Sequence, residues 1–216
     1  MTPGRSRTSL GCVEVFDRIV VGVDGSDFGF EALQQALVLR APNGTLRAVT
    51  ALEEAVASQV GFLAPSAAAQ IEEEAQQAYE KAVERLDDQP FCTARLVRGE
   101  PIAALLSACS EEGATLVGVG GRHRSRTAGL LLSGVATVIL HDAPCSVLFA
   151  HPQWGERWYP QRIIVGVDGS RGLHGLRSLG SVSERVAHRA HCSVLVVRDQ
   201  KAGGGQVEPA SEDVRA

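Results

Sequence analysis

The 216-residue sequence lacks an excess of charge of either sign, because 25 acidic residues nearly balance 21 Lys and Arg and the formal net charge is −4. No basic stripe is present of the kind that binds a phosphate backbone. No apolar run approaches the roughly 18 residues of a membrane span, and the N-terminal residues lack the apolar core of a secretory signal. These absences argue against nucleic acid and membrane as partners, and they predict a cytoplasmic protein.

Cysteine and the common catalytic motifs are also scarce. The five cysteines show no C-x-x-C spacing, which argues against a disulfide framework and a zinc site and predicts free thiols. The sequence contains no G-x-x-x-x-G-K-[ST], H-E-x-x-H or G-x-S-x-G motif. We therefore expect that the protein is not an enzyme, with only a weak ATP hydrolysis left open.

Short β-branched apolar runs alternate with stretches of helical periodicity along the chain. The run 18–23 ends at Asp-Gly-Ser, and 27–40 then carries apolar residues at helical spacing. Further strands are predicted at 45–51, 91–98, 115–120 and 145–150, and helices at 66–88, 101–112 and 133–142. This alternation predicts an α/β fold, an open five-stranded parallel sheet with helices on both faces.

An internal repeat divides the chain. The segment RIVVGVDGS at 18–26 is repeated as RIIVGVDGS at 162–170, which is 144 residues later. The segment LSGVATVILHDAPCSVLF at 132–149 matches residues 179–196, which are only 47 residues later. The second copy is therefore shortened internally to a β-α-β remnant. The expected organisation is a disordered N-terminus at 1–16, a whole domain at 17–150, a linker at 151–161, the shortened copy at 162–198 and a disordered tail at 199–216.

The strand that ends in Val-Asp-Gly-Ser and the Gly-rich loop before the last helix and strand resemble the universal stress protein family. The resemblance covers 17–150 as one domain and 162–198 as the shortened second repeat. It implies a Rossmann-like fold of the adenine-nucleotide alpha hydrolase type and a role as a non-catalytic stress-response regulator. Many members of the family bind ATP, so ATP, with Mg²⁺, is the cofactor that the resemblance suggests.

The family pattern, carried over position by position, suggests a nucleotide site in the first copy. Ligands of open parallel sheets lie beyond the carboxyl ends of the strands, where small loop residues and a helix N-terminus face the phosphates. The expected site residues here are Asp24, Val49, Val119, Gly120, Arg122, His123, Ser133, Gly134 and Val135. Two departures weaken the pattern: His123 stands where the family has a glycine, and Ser133-Gly134 reverses its final Gly-Ser. Asp24 is also interpretable as a simple turn residue.

The shortened copy carries a second version of the loop, with Gly169, Gly172, Gly180 and Ser181 as candidate binding residues. A β-α-β unit of this size is too small to fold alone. We therefore expect its last strand, 192–197, to pair with the edge strand 145–150, either within the chain or as a homodimer.

Two functions stay open at this point. One is a nucleotide-binding regulator, and the other is a ligand-free dimerisation or scaffolding module with a degenerate site. Cys145 and Cys192 occupy matched positions of the two copies and are interpreted as small buried packing residues.

Overall fold

The described residues form one six-stranded sheet with helices packed on both faces. A computed structural model describes residues 16–53, 65–121, 134–152, 164, 185–187 and 189–198. The strands are β1 (Phe16–Gly22), β2 (Arg40–Leu52), β3 (Cys92–Arg98), β4 (Leu116–Gly120), β5 (Ser146–Ala150) and β6 (Val194–Val196). The helices are α1 (Asp27–Leu39), α2 (Pro65–Leu86), α3 (Pro101–Glu112) and α4 (Gly134–Asp142).

The strand order is β3-β2-β1-β4-β5-β6. Strands β1 to β5 are parallel to their neighbours, whereas β6 runs antiparallel to β5. The predicted five-stranded parallel sheet is therefore confirmed, and the second copy adds a sixth strand to it.

Helices cover both faces, as the apolar character of the strands predicts. On one face α1 packs over β1, β4 and β5, and α2 packs over β2 and β3. On the other face α3 packs over β1 and β2, and α4 packs against α3 and β5. Each face of the sheet has its own hydrophobic core, and alternate residues of β1 point into opposite cores. Ile19 and Val21 lie in the core under α1, whereas Val20 lies in the core under α3 and α4. A strand that is buried on both faces has to be apolar along its whole length.

Helix ends follow local sequence signals. Ser26 caps α1, its Oγ accepting a hydrogen bond from the Gly29 N–H at 3.1 Å. Pro101 starts α3, where its missing N–H costs no helical bond, and Gly113 ends that helix in the left-handed conformation with φ 57°. The predicted helices are confirmed to within two residues at the ends.

Two boundaries differ from expectation in the parallel pair formed by β1 and β2. Strand β2 begins at Arg40, five residues earlier than predicted, because Arg40 already pairs with Phe16 before the register shifts to Arg18 and Thr45. Phe16, which the sequence analysis places in the N-terminal segment, belongs to β1 and is buried.

The second copy contributes β6 and a helical stretch at 185–187 and 189. The predicted pairing of its last strand with the edge strand is confirmed within the chain, with Val147 opposite Val196 and Phe149 opposite Val194. Ala187 is buried against the core of the first copy. Ile164, the one described residue of the repeated phrase, lies in no strand and is 98% exposed, so the strand predicted there is not found at this position.

The cysteines divide into buried and accessible thiols. Cys109 on α3 and Cys145 before β5 are both buried and free. A hydrogen bond to the Cys145 thiol and then burial raise the pKa of Cys109 far above its usual range, so Cys109 stays protonated. The packing role predicted for Cys145 agrees with its burial. The same prediction is wrong for Cys192, which is exposed because it precedes the short edge strand β6.

No helix in the described part of the chain is long and apolar enough to cross a membrane.

Burial of α1 against the sheet makes a direct prediction about stability. Leu33 is 1% exposed, so Leu33→Ala leaves a cavity and lowers the free energy of unfolding by about 2–5 kcal/mol. Val83 on α2 is 41% exposed, and Val83→Ala changes that free energy by less than about 0.5 kcal/mol. Urea unfolding measures both values, and equal losses for the two variants would contradict the packing described here.

Candidate functional site

From β1 the sheet extends in two directions, with β2 and β3 on one side and β4 and β5 on the other. The crevice expected at such a reversal of strand order lies between the carboxyl ends of β1 and β4. Strand β1 pairs with β2 on one edge and with β4 on the other, and the chain crosses from β3 to β4 over the opposite face. The Val23 N–H donates to the Val49 carbonyl at 2.9 Å, which extends the pairing to the last residue before Asp24. In open α/β sheets this reversal point is where ligands bind.

Asp24 lies at the mouth of this crevice, exposed and oriented by its own turn. Its Oδ1 accepts hydrogen bonds from the Ser26 hydroxyl at 2.6 Å and from the Ser26 N–H at 3.1 Å. Ser26 in turn caps α1. Asp24 therefore stabilises the turn between β1 and α1, as the interpretation of this residue as a turn residue predicts. Both bonds use the same oxygen, and no donor among the described residues bonds to Oδ2.

Gly120 forms the opposite wall, at the end of β4. A Cβ at this position would lie 2.8 Å from the Cβ of Phe28 and 3.1 Å from the Gly29 nitrogen. Only glycine allows the start of α1 to approach β4 so closely. The next residue, Gly121, donates its N–H to the Ala150 carbonyl at 2.8 Å, which continues the pairing of β4 with β5 beyond Gly120.

Phe28 and His151 complete this end of the sheet, and sequence reasoning missed both. The Phe28 ring meets the His151 ring edge to face, with centroids 5.8 Å apart and an angle of 79° between the planes. The Phe28 backbone also lies over Gly120. An aromatic residue in the first turn of a helix gives no sequence signal of such a contact, because the contact depends on where β5 ends.

The two helices that follow β1 and β4, the strands on either side of the crevice, differ in the charge of their first turns. Helix α1 is capped by Ser26 and carries Asp27 in its first turn. Helix α4 begins at Gly134 with no acidic residue in its first turn. Among the described residues, no atom beyond its chain neighbours and its own helix backbone lies within 4 Å of a Cβ placed on Gly134. A helix N-terminus carries partial positive charge, so α4 is the terminus that favours an anion.

Six of the predicted site residues are described. Asp24 and Gly120 flank the crevice, Val49 and Val119 are buried beneath it in the α3-side core, and Gly134 and Val135 open α4. The others lie outside the described residues: Arg122, His123, Ser133, Gly169, Gly172, Gly180 and Ser181. The binding role of these seven residues stays a prediction.

Within the described ranges, no group of three or more His, Cys, Asp or Glu side chains lies close enough together to hold a metal ion. Mg²⁺ commonly binds through one or two carboxylates together with substrate phosphates. Asp24 is the described carboxylate at the crevice.

An open parallel sheet with a polar crevice at its reversal point defines a Rossmann-like α/β protein. The universal stress protein family model matches residues 16–151 and 158–198, two segments that agree with the two copies of the repeat. The chain belongs to the universal stress protein family.

Solved structures agree with this fold. Universal stress protein UspA from Lactobacillus plantarum is 19% identical with a TM-score of 0.53, over 62% of this chain and 96% of that one. Hypothetical protein MJ0577 is 18% identical with a TM-score of 0.53, over 62% and 94% of the two chains. A universal stress protein in complex with cAMP is 26% identical with a TM-score of 0.42, over 63% and 98%. No curated protein matches the chain significantly.

The contact between Gly120 and Phe28 predicts that Gly120→Ala is not tolerated without movement. The new methyl group collides with Phe28 and displaces the start of α1, and overpacking of this kind costs about 1–3 kcal/mol. Gly134→Ala is the matched control, because its methyl group enters open space. Chemical denaturation compares the two, and a Gly120→Ala protein as stable as Gly134→Ala would contradict this geometry.

Proposed function

We propose that this member of the universal stress protein family is a non-catalytic, cytoplasmic stress-response regulator that binds an adenine nucleotide, ATP with Mg²⁺, at the crevice between β1 and β4. The observation that carries the proposal is the position and hydrogen bonding of the Asp24 carboxylate. Its carboxylate lies exposed at the reversal point, its turn holds it through Oδ1, and Oδ2 has no described donor. A carboxylate held in this way is able to accept hydrogen bonds from ribose hydroxyls.

The charges around the crevice favour one orientation of the nucleotide. Asp24 and Asp27 both lie at the start of α1, so this end repels phosphate and suits the ribose. Helix α4 offers an N-terminus without acidic residues, and the loop at 121–133 that leads to it carries Arg122 and His123. The phosphates are therefore expected to point from β1 toward the start of α4. Magnesium would then be held by the phosphates, with any protein ligand limited to a carboxylate such as Asp24.

A second function, association without a ligand, has its own support. The hydrogen bonds of Asp24 suffice to explain this residue as part of the α1 cap, and Phe28 closes tightly on Gly120. In that case the crevice has no occupant, and the protein acts through its contacts with other chains.

A single substitution separates these functions. Asp24→Asn keeps an oxygen for the Ser26 turn but removes the charge and one acceptor, so we expect ATP with Mg²⁺ to bind at least tenfold more weakly than to the wild type. Asp27→Asn is the matched control, because it removes the same charge three residues away at an exposed position. Titration calorimetry on protein freed of copurified nucleotide measures both dissociation constants.

Three outcomes would contradict the proposed site. Equal weakening by both variants would indicate general charge effects and would argue against Asp24 as a ribose ligand. Loss of binding in Ser181→Ala, with Asp24→Asn unaffected, would move the site to the second copy. Absence of heat with ATP and with cAMP in the wild type would leave the ligand-free function.

A further inference from the structure

Two buried thiols meet where α3 packs beside the start of β5. Cys109 lies in the last turn of α3 and is 1% exposed, and Cys145, the residue before β5, is fully buried. Both side chains belong to the same hydrophobic core. The Cys109 thiol donates a hydrogen bond to the Cys145 sulfur. The fold therefore brings two thiols that are distant in sequence into direct contact.

Backbone hydrogen bonds fix the positions of both cysteines. The Cys109 carbonyl accepts a hydrogen bond from the Ala114 N–H at 2.8 Å, and the carbonyl of the next residue, Thr115, accepts one from the Ser146 N–H at 3.3 Å. Because Ser146 follows Cys145 directly, only two backbone hydrogen bonds separate the two cysteines. Their proximity is therefore a consequence of how α3, β4 and β5 pack together.

A guanidinium lies at the turn that carries Cys145. The Arg198 N–H donates to the Ser146 Oγ at 3.1 Å, and the Arg198 guanidinium donates to the carbonyls of Leu140 and Ala143. These three acceptors flank position 145 on both sides in the sequence. Arg198 thus holds a positive charge beside one of the two thiols.

These neighbours give the two thiols different protonation. The hydrogen bond from Cys109 lowers the pKa of Cys145, burial opposes this effect, and the charge of Arg198 lowers the pKa further. Cys109 stays protonated, as described above. The other charge described at this end of α4 is Asp142, which acts on Arg198. A thiolate is the nucleophile in thiol chemistry, so Cys145 is the sulfur that reacts first.

We propose that Cys109 and Cys145 form a redox-sensitive pair, which a hydroperoxide converts to a disulfide between α3 and the start of β5. The Cys145 thiolate attacks one peroxide oxygen, the O–O bond breaks, and hydroxide leaves from a new sulfenic acid. The Cys109 sulfur then attacks the sulfenic sulfur, the S–O bond breaks, and the oxygen leaves as water with the Cys109 proton. Two electrons pass from the two thiols to the peroxide.

A local opening at the edge of the sheet gives a small oxidant access to the pair. Strand β6 is three residues long, and Leu195 at its centre is 39% exposed. Short edge elements open at a lower free energy than the whole domain. The disulfide would enclose β4, the loop at 121–133 and α4 in one covalent ring. This proposal is independent of nucleotide binding.

The first experiment uses the full chain with Cys12, Cys92 and Cys192 replaced by serine, so that only the pair remains. Hydrogen peroxide is added to the reduced, folded protein, and mass spectrometry without reduction follows. We expect the intact mass to fall by two hydrogen atoms and a crosslinked tryptic peptide to join 99–122 with 127–157. A folded chain in which no disulfide forms, or in which it forms only in urea that unfolds the chain, would overturn the proposal.

The second experiment assigns the two roles in the same background. With Cys109→Ser the sulfenic acid of Cys145 has no resolving thiol, so dimedone should trap it. With Cys145→Ser, the matched control, Cys109 should react with peroxide at least about tenfold more slowly, because its thiol stays protonated. Equal rates in the two variants would contradict the assigned order. If a serine variant fails to fold, alanine replaces it, since alanine buries no polar group.

The third experiment tests the positive charge. In the background that keeps the pair, Arg198→Gln removes the charge beside Cys145, so the midpoint of the pH profile of disulfide formation should rise by about one unit. Arg198→Lys keeps the charge and should leave the midpoint close to its original value. A variant that only opens access to the thiols would change the maximal rate and not the midpoint. An unchanged midpoint in Arg198→Gln would therefore contradict the role of this charge.

Discussion

The rest of the structure depends on the hydrogen bonding of β1 along both of its edges. Because β1 pairs with β2 on one side and β4 on the other, the sheet has to grow outward from it in two directions. This single constraint buries Val20 and Val21 completely, requires helices on both faces, and leaves the crevice where neighbouring strands diverge. The candidate site is thus a consequence of the central strand, with Asp24 at its end because the chain must turn there.

The sequence predicts the five parallel strands and four helices because their signals are local. Apolar runs, the Ser26 cap, Pro101 and Gly113 each act within one element, and the helices begin and end close to the predicted residues. Asp24 and Gly120 are predictable for the same reason, since each ends a strand. The predicted loop residues between β4 and α4, and those of the second copy, stay predictions because they lie outside the described residues.

Contacts between distant elements were beyond sequence reasoning. Phe28 reaches His151 only because α1 crosses β4 and β5, and nothing in the first turn of α1 indicates this. The repeat shows that β5 and β6 are equivalent, but equivalence permits either direction of pairing. The pairing is antiparallel, with Leu148 opposite its equivalent Leu195, and this direction depends on how the two strands meet in the folded chain. Exposure of Cys192 follows from its place before a short edge strand rather than from its matched position in the repeat.

The β5 edge and the crevice are joined by a short series of contacts. Ser193 bonds to the backbone of His151, the His151 ring packs on Phe28, and Phe28 lies over Gly120. At the other end of β6, the Arg198 guanidinium donates to the carbonyls of Leu140 and Ala143 at the end of α4. These bonds lie at the C-terminal end of α4, opposite the N-terminus where the phosphates are proposed to lie. Among the described contacts it is therefore the series through His151 and Phe28 that joins the β5 edge to the crevice.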